Sequence, residues 1–293
     1  GGVDTGIDIE VRTGGPAIGY TPVSSQMYTD KSIDIGYVST DQVILLRDKT
    51  PVISVMAPLE KNPQMIMWDP ATYPNVKTIA DLKAPGITVN VFAGDTFPSV
   101  FTNEGILSKS QIDPSYDGSP ARFIASGGKI AQQGFASAEP YLYQNVFTDW
   151  GKPVAYQLIN DAGLKLYSQT LAVREADLAK MTPCLKQFIP IAQQAAVDYY
   201  ASPARANAII IDAVAKYKDF WKYTKGLAAF SDKTQIDLGL AGNGPDSTLG
   251  NMDPARVQGV IDEITAAVPG APTGLKAADI ITNQFIDKSI GMP

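Results

Sequence analysis

The feature that most constrains the fold of this chain is a change of apolar period near residue 175. Before it, short apolar runs alternate with helical segments; after it, apolar residues recur every three or four positions. Ile7-Asp8-Ile9-Glu10-Val11 alternates with period two and runs into Thr13-Gly14-Gly15-Pro16, which predicts a strand and then a turn. Further strands are predicted at 32–38, 52–57, 64–68, 87–91, 153–158 and 168–174, and one more within 127–140. Thr21-Pro22 predicts a helix start, and helical segments follow at 42–47, 78–83 and from Val100. Beyond Ala176, Leu178, Met181, Leu185, Phe188, Ile189, Ala192, Ala196 and Tyr199 make one apolar stripe, and Pro203 and Pro254 each open another helix. Alternating strands and helices closed by a helical region define an α/β chain, and 293 residues suffice for two lobes.

In an open α/β sheet, ligands sit beyond the carboxyl ends of the strands, which singles out three places. Ser39-Thr40-Asp41 follows the 32–38 strand and either caps the next helix or caps it and touches a ligand. Phe92-Ala93-Gly94-Asp95-Thr96-Phe97-Pro98-Ser99 follows the 87–91 strand; Gly94 permits close backbone approach, but neither GxxxxGK[ST] nor GxGxxG is present. Glu139 precedes Pro140 and Tyr141-Leu142-Tyr143, either as a helix-start charge or as a ligand contact. Trp68 closes one end of the core or forms an aromatic wall, and Met56 and Met67 read as core.

Composition narrows the chemistry. With no His, neither a Ser-His-Asp or Cys-His nucleophile system nor a His-containing metal site can be built. Acid–base work would fall to carboxylates, Lys or Tyr. A net charge of −6 without a Lys/Arg-rich run argues against nucleic acid or anionic membrane as partner. No apolar run reaches the roughly 20 residues needed to span a bilayer. Gly1-Gly2-Val3-Asp4-Thr5 has neither the basic nor the apolar stretch of a signal peptide. Cys184, the single cysteine, reads as a small buried hydrophobe.

Several stretches together resemble one family. They are Thr13-Gly14-Gly15-Pro16, Asp34-Ile35-Gly36, Ile79-Ala80-Asp81-Leu82-Lys83, Asn103-Glu104-Gly105-Ile106, Glu139-Pro140-Tyr141, Leu171-Ala172-Val173-Arg174-Glu175, Met252-Asp253-Pro254-Ala255-Arg256-Val257 and the 277–286 segment. Their order is similar to that in solute-binding proteins of ABC importers, in the group that binds alkanesulfonates, taurine, nitrate and thiamine-pyrimidine precursors. The resemblance implies the periplasmic-binding-protein type II architecture: two α/β lobes, each a mixed sheet flanked by helices, with a helical C-terminal region. Lobe I would comprise 1–91 plus 174–293 and the inserted lobe II 92–173, with crossings near 90–93 and 170–174 and hinge closure over a ligand. Members usually begin with a strand and helix ahead of the segment matched by Ile7 to Val11. The expectation is therefore a chain lacking about 40 N-terminal residues, roughly one βα unit, and with it a signal peptide.

Carried over position by position, the resemblance assigns ligand contacts to Ser39, Thr40, Asp41 and Trp68 from the first lobe. From the second it assigns Gly94, Asp95, Thr96, Phe97, Glu139 and Tyr141. The mixture of hydrogen-bonding groups and rings suits a small, polar, planar or heterocyclic solute. If the three acids face the cleft without a cation nearby, the pocket repels anions; Lys129 and Arg122 are the candidate counter-charges, which leaves its sign open.

The implied function is a non-catalytic, monomeric receptor outside the cytoplasmic membrane, periplasmic or lipid-anchored, without cofactor or metal, serving an importer permease and its ATPase. The alternative is a lyase or hydrolase using Asp95 and Glu139. Thiamine-pyrimidine synthases that resemble these binders consume an active-site His and carry a Cys-rich motif, and this chain has neither. A ligand-sensing regulatory domain would need a nucleic-acid-binding or signalling segment, and none is visible.

Overall fold

The structure, a computed structural model, describes residues 6–12, 21–217 and 222–293. The chain opens with α1 (Val23–Thr29), β1 (Ile35–Val38), α2 (Thr40–Leu45) and β2 (Val52–Met56). Then come β3 (Gln64–Trp68), β4 (Thr88–Asn90), α3 (Phe97–Asn103), β5 (Ile112–Asp113), α4 (Ala121–Ala125), β6 (Ile130–Phe135), α5 (Glu139–Asn145), β7 (Ala155–Leu158) and β8 (Thr170–Arg174). Helices α6 (Leu178–Ala201), α7 (Ala204–Tyr217), α8 (Lys225–Asp237) and α9 (Pro254–Ala267) complete it.

Two sheets organise these elements. The first has the order β1-β8-β2, with central β8 antiparallel to both neighbours. Every residue of β2 and β8 is buried, as expected for strands covered on both faces. Residues 280–282 extend the sheet beyond β2, where Ser54 N–H donates to the Ile280 carbonyl at 2.8 Å and Thr282 N–H to the Ser54 carbonyl at 2.8 Å. The second sheet has the order β5-β4-β6-β3-β7; β4 runs parallel to β5 and β6, and β3 runs antiparallel to β6 and β7. It is therefore mixed.

Sheet membership moves the expected lobe boundary. Strands β3 and β4, read from sequence as part of the first lobe, are hydrogen-bonded into the second sheet. The chain changes sheets at 57–63 and returns at 159–169, rather than at 90–93 and 170–174. Period-two alternation makes a strand legible but not the neighbour it pairs with.

The strand expected at 7–11 is not formed. Residues 6–12 join neither sheet, and Ile9 and Val11 are 63% and 84% exposed. An alternating segment becomes a strand only where an edge pairs with it; here Arg12 instead draws the segment to Asp30 at 3.1 Å. The turn expected at Thr13-Gly14-Gly15-Pro16 lies outside the described residues.

Local sequence accounts for the other starts and stops. Thr78 and Asp81 form a reciprocal capping box around the 3-10 turn Ile79–Leu82. The Asp253 carboxylate caps α9 by accepting from Ala255 N–H, with Pro254 in the first turn. Helix α6 contains Pro183 and Pro190, each removing a helical N–H donor, and buries Leu185, Ile189 and Gln193. Cys184 is half-buried rather than enclosed. No helix of the described residues is long and apolar enough to cross a membrane.

Candidate functional site

Two helix-leading loops, one from each sheet, meet where the sheets adjoin. Asp41 opens α2 after β1, and Thr96 leads α3 after β4. The Thr96 hydroxyl donates to Asp41 Oδ2 at 2.7 Å, tying one sheet's helix to the other's. The other oxygen, Asp41 Oδ1, is buried without a partner. Beside them, Asp95 Oδ2 accepts from Gln64 Nε2 at 3.3 Å and from Gln133 Nε2. These glutamines stand on β3 and β6, so both strands aim their amides at one carboxylate. Burial, reinforced by the Asp41 charge and opposed by the Gln133 hydrogen bond, pushes Asp95 up to about 6.

Gly94 supplies the turn ahead of this carboxylate. Its φ of +87° lies where a side chain is strained, and the position is open to solvent. Phe92, at the start of the same loop, stacks on Tyr116 with ring centroids 4.5 Å apart, and its N–H donates to Gln133 Oε1 at 3.0 Å. Ser39 is half-buried at the N-cap of α2 without a side-chain capping bond.

Other expected contacts turn inward. Thr40 is buried and pairs with Tyr167: its N–H donates to the Tyr167 carbonyl at 3.0 Å, and its Oγ1 accepts from Tyr167 N–H at 3.2 Å. It fastens α2 to the 159–169 connection. Phe97 packs edge-on against Phe101 in the core. Trp68 is 1% exposed within the main apolar cluster, so it is core and not a cleft wall, as are Met56 and Met67. Tyr141 packs on Phe230 of α8 at 5.6 Å, its hydroxyl against Gly226.

Glu139 is 4% exposed and spends Oε2 on the Phe135 N–H at 2.8 Å, with Gly134 against its stem. Burial pushes its carboxyl up to about 7. Glu139 and Asp95 are thus engaged separately, which does not favour the enzyme reading that divides acid and base roles between them.

The two candidate counter-charges lie elsewhere. Arg122 is paired with Asp113 and hydrogen-bonded to Ser115 on the β5 side of the sheet. Lys129 precedes β6, whereas Asp95 is held at Gln133 and Glu139 at Phe135 further along it; at about 3.3 Å per residue these points lie about 13 Å and about 20 Å along the strand from Lys129. Gln64, Gln133 and the Phe92–Tyr116 pair were missed from sequence. The available signal was Gln132-Gln133, two amides inside an otherwise apolar strand.

A clamp also joins the two inter-sheet connections. Arg256 of α9 donates to Glu60 Oε1 at 2.7 Å, to the Lys165 carbonyl at 2.7 Å and to the Leu166 carbonyl at 3.1 Å, and it lies 3.8 Å from the Tyr167 ring centre. An open cavity of about 540 Å³ borders the clamp, with Lys61, Asn160, Lys165 and Glu263 among its walls and none of residues 39–41 or 94–97.

Two sheets joined by two connections, with candidate ligand groups between them, constitute the periplasmic-binding-protein fold. The same fold is seen in the alkanesulfonate-binding protein SsuA of Xanthomonas axonopodis pv. citri bound to MOPS: TM-score 0.57, 17% identity, 89% of this chain and 83% of that chain covered. The periplasmic aliphatic sulphonate binding protein SsuA of Escherichia coli gives a TM-score of 0.56 at 15% identity, covering 86% of this chain and 80% of that one. The ligand-binding component of an ABC-type import system from Staphylococcus aureus, with zinc bound, gives 0.55 at 10% identity, covering 89% and 82%. No family model matches the chain, and no curated protein matches it.

Proposed function

We propose that this protein is a non-catalytic receptor of an ABC-type import system, working outside the cytoplasmic membrane and closing by a hinge on a small, polar, planar organic solute. The observation that carries the reading is the meeting of Asp41 and Thr96 across the junction of two sheets that are joined through 57–63 and 159–169. A ligand entering there would exchange the Thr96–Asp41 hydrogen bond for bonds of its own and draw on groups from both sheets. The Phe92 and Tyr116 rings beside Asp95 support a planar solute.

The test is a thermal-shift screen of the purified chain against pyrimidines, sulfonates, nitrate, flavins and aromatic acids, followed by small-angle X-ray scattering. One compound class should raise Tm, because binding to the native state alone stabilises it, and should shrink the radius of gyration. A stabilising compound that is converted to product would overturn the receptor assignment.

A further inference from the structure

We infer that the junction site selects a small organic cation, with N–H donors for Asp41 and Asp95, over the sulfonates named for structurally similar proteins. The inference rests on the receptor reading for the location of the ligand, and on the charges around Asp41 and Asp95 for its chemistry.

The hydrogen-bonding capacity of the site is asymmetric. Three of its side-chain donors are engaged with carboxylates: the Gln64 and Gln133 amides with Asp95, and the Thr96 hydroxyl with Asp41. On the two acids, acceptor capacity remains: the second oxygen of Asp95 and the buried, unpartnered Oδ1 of Asp41. A sulfonate, which only accepts hydrogen bonds, finds two like charges here.

Counter-charges are committed elsewhere. Arg122 is paired with Asp113, Arg256 with Glu60, and Lys61 with Asp161 at 3.6 Å, while Lys129 is at the other end of β6. Among the described residues, no Lys or Arg forms an ion pair with Asp41 or Asp95. Two carboxylates at close quarters without a cation are relieved by bringing one in, and here Asp95 immediately precedes the Thr96 that bonds Asp41. Burial, with the Asp41 charge nearby, raises the Asp95 carboxyl. A bare metal ion is the poorer occupant, since among the described residues no group of three or more His, Cys, Asp or Glu side chains is placed to hold one. An ammonium, amidinium or protonated amino-heterocycle supplies both the charge and directed N–H donors.

The test is isothermal titration of the full chain at pH 7.5 and low salt with matched pairs: benzamidine against benzenesulfonate, and butylammonium against butanesulfonate. The cation of at least one pair should bind at least tenfold tighter than its sulfonate. Asp95→Asn and Asp41→Asn should each weaken that cation at least tenfold, with unfolding curves confirming that both variants are folded. A sulfonate that binds tighter than its matched cation overturns the inference. So does a cation indifferent to both substitutions, or the failure of every pair to bind at millimolar concentration. Scattering separates the two readings: a cation bound through Asp95 without contraction removes the receptor reading and leaves the charge assignment, and a sulfonate that contracts the chain does the reverse.

Discussion

Replacing Glu139 by Gln is expected to stabilise the protein at pH 8 and to leave it unchanged at pH 4.5. The carboxylate is enclosed and accepts from the Phe135 N–H, a bond that a Gln carbonyl can still accept. Burial raises the carboxyl from its ordinary 4.5 to about 7. Below 4.5 the group is protonated in both the folded and the unfolded chain, and native stability is full. As pH climbs through the 4.5-to-7 window the unfolded chain ionises first, so the folded state loses relative stability, and above 7 the loss is complete. At about 1.4 kcal/mol per pH unit, this sets a ceiling of about 3 kcal/mol on the gain of the Gln variant at pH 8. At about 2 °C per kcal/mol for a chain of this size, the ceiling is about 6 °C in Tm. Asp95 titrates in both proteins and cancels in the difference. Glu139→Ala is the control: it strands the Phe135 N–H and should cost about 1–3 kcal/mol at pH 4.5, a cost that the same lost ionisation offsets by up to about 3 kcal/mol at pH 8, so it should lie below the Gln variant throughout. Thermal unfolding of all three proteins from pH 4.5 to 8 decides the matter. A Gln variant less stable than the parent at pH 8, or offset equally at both ends, would refute the argument that an enclosed charge sets this pH dependence.

Three further outcomes follow from the same geometry. Trp68→Ala should cost about 3–5 kcal/mol in urea unfolding while leaving the affinity of any ligand found within twofold, since the ring is core; lost affinity with unchanged stability would restore the cleft-wall reading. Arg256→Lys should cost about 1–3 kcal/mol, because a lysine cannot serve Glu60 and two carbonyls in one plane while stacked on Tyr167; equal urea midpoints would remove the clamp. Gly226→Ala places a methyl carbon 2.0 Å from the Tyr141 hydroxyl and should lower Tm by several degrees, with Tyr141→Phe restoring part of the loss; a neutral Gly226→Ala would show that α5 and α8 do not pack as described.

Much of the secondary structure was legible because it rests on short-range causes. The strands at 52–56, 64–68, 130–135 and 170–174 are apolar runs bounded by turn residues, and the starts of α7 and α9 follow prolines. Helix α8 was less legible: Lys225-Gly226-Leu227 is a poor helical opening, and its position is secured by packing against α5 and by Leu240 in the second sheet's core. Helix α6 keeps two prolines for a related reason, because its buried face offsets the lost N–H donors.

The candidate site divides along the same line. By itself the sequence placed Ser39, Asp41, Asp95 and Thr96 in loops at strand ends, since strand, turn and capping residue occupy consecutive positions. Its lack of His likewise excluded imidazole chemistry outright. Only the tertiary structure decided which residues share space. It put Asp41 against Thr96 across 55 positions and Gln133 against Asp95 across 38, drew Trp68, Phe97 and Thr40 inward, and stationed Lys129 away from the acids and Arg122 on Asp113. The charge of the site was therefore unreadable in one dimension. Electrostatic sign depends on distances between groups far apart in sequence, and those distances are set by how two sheets pair and pack, not by the local preferences that write strands and helices.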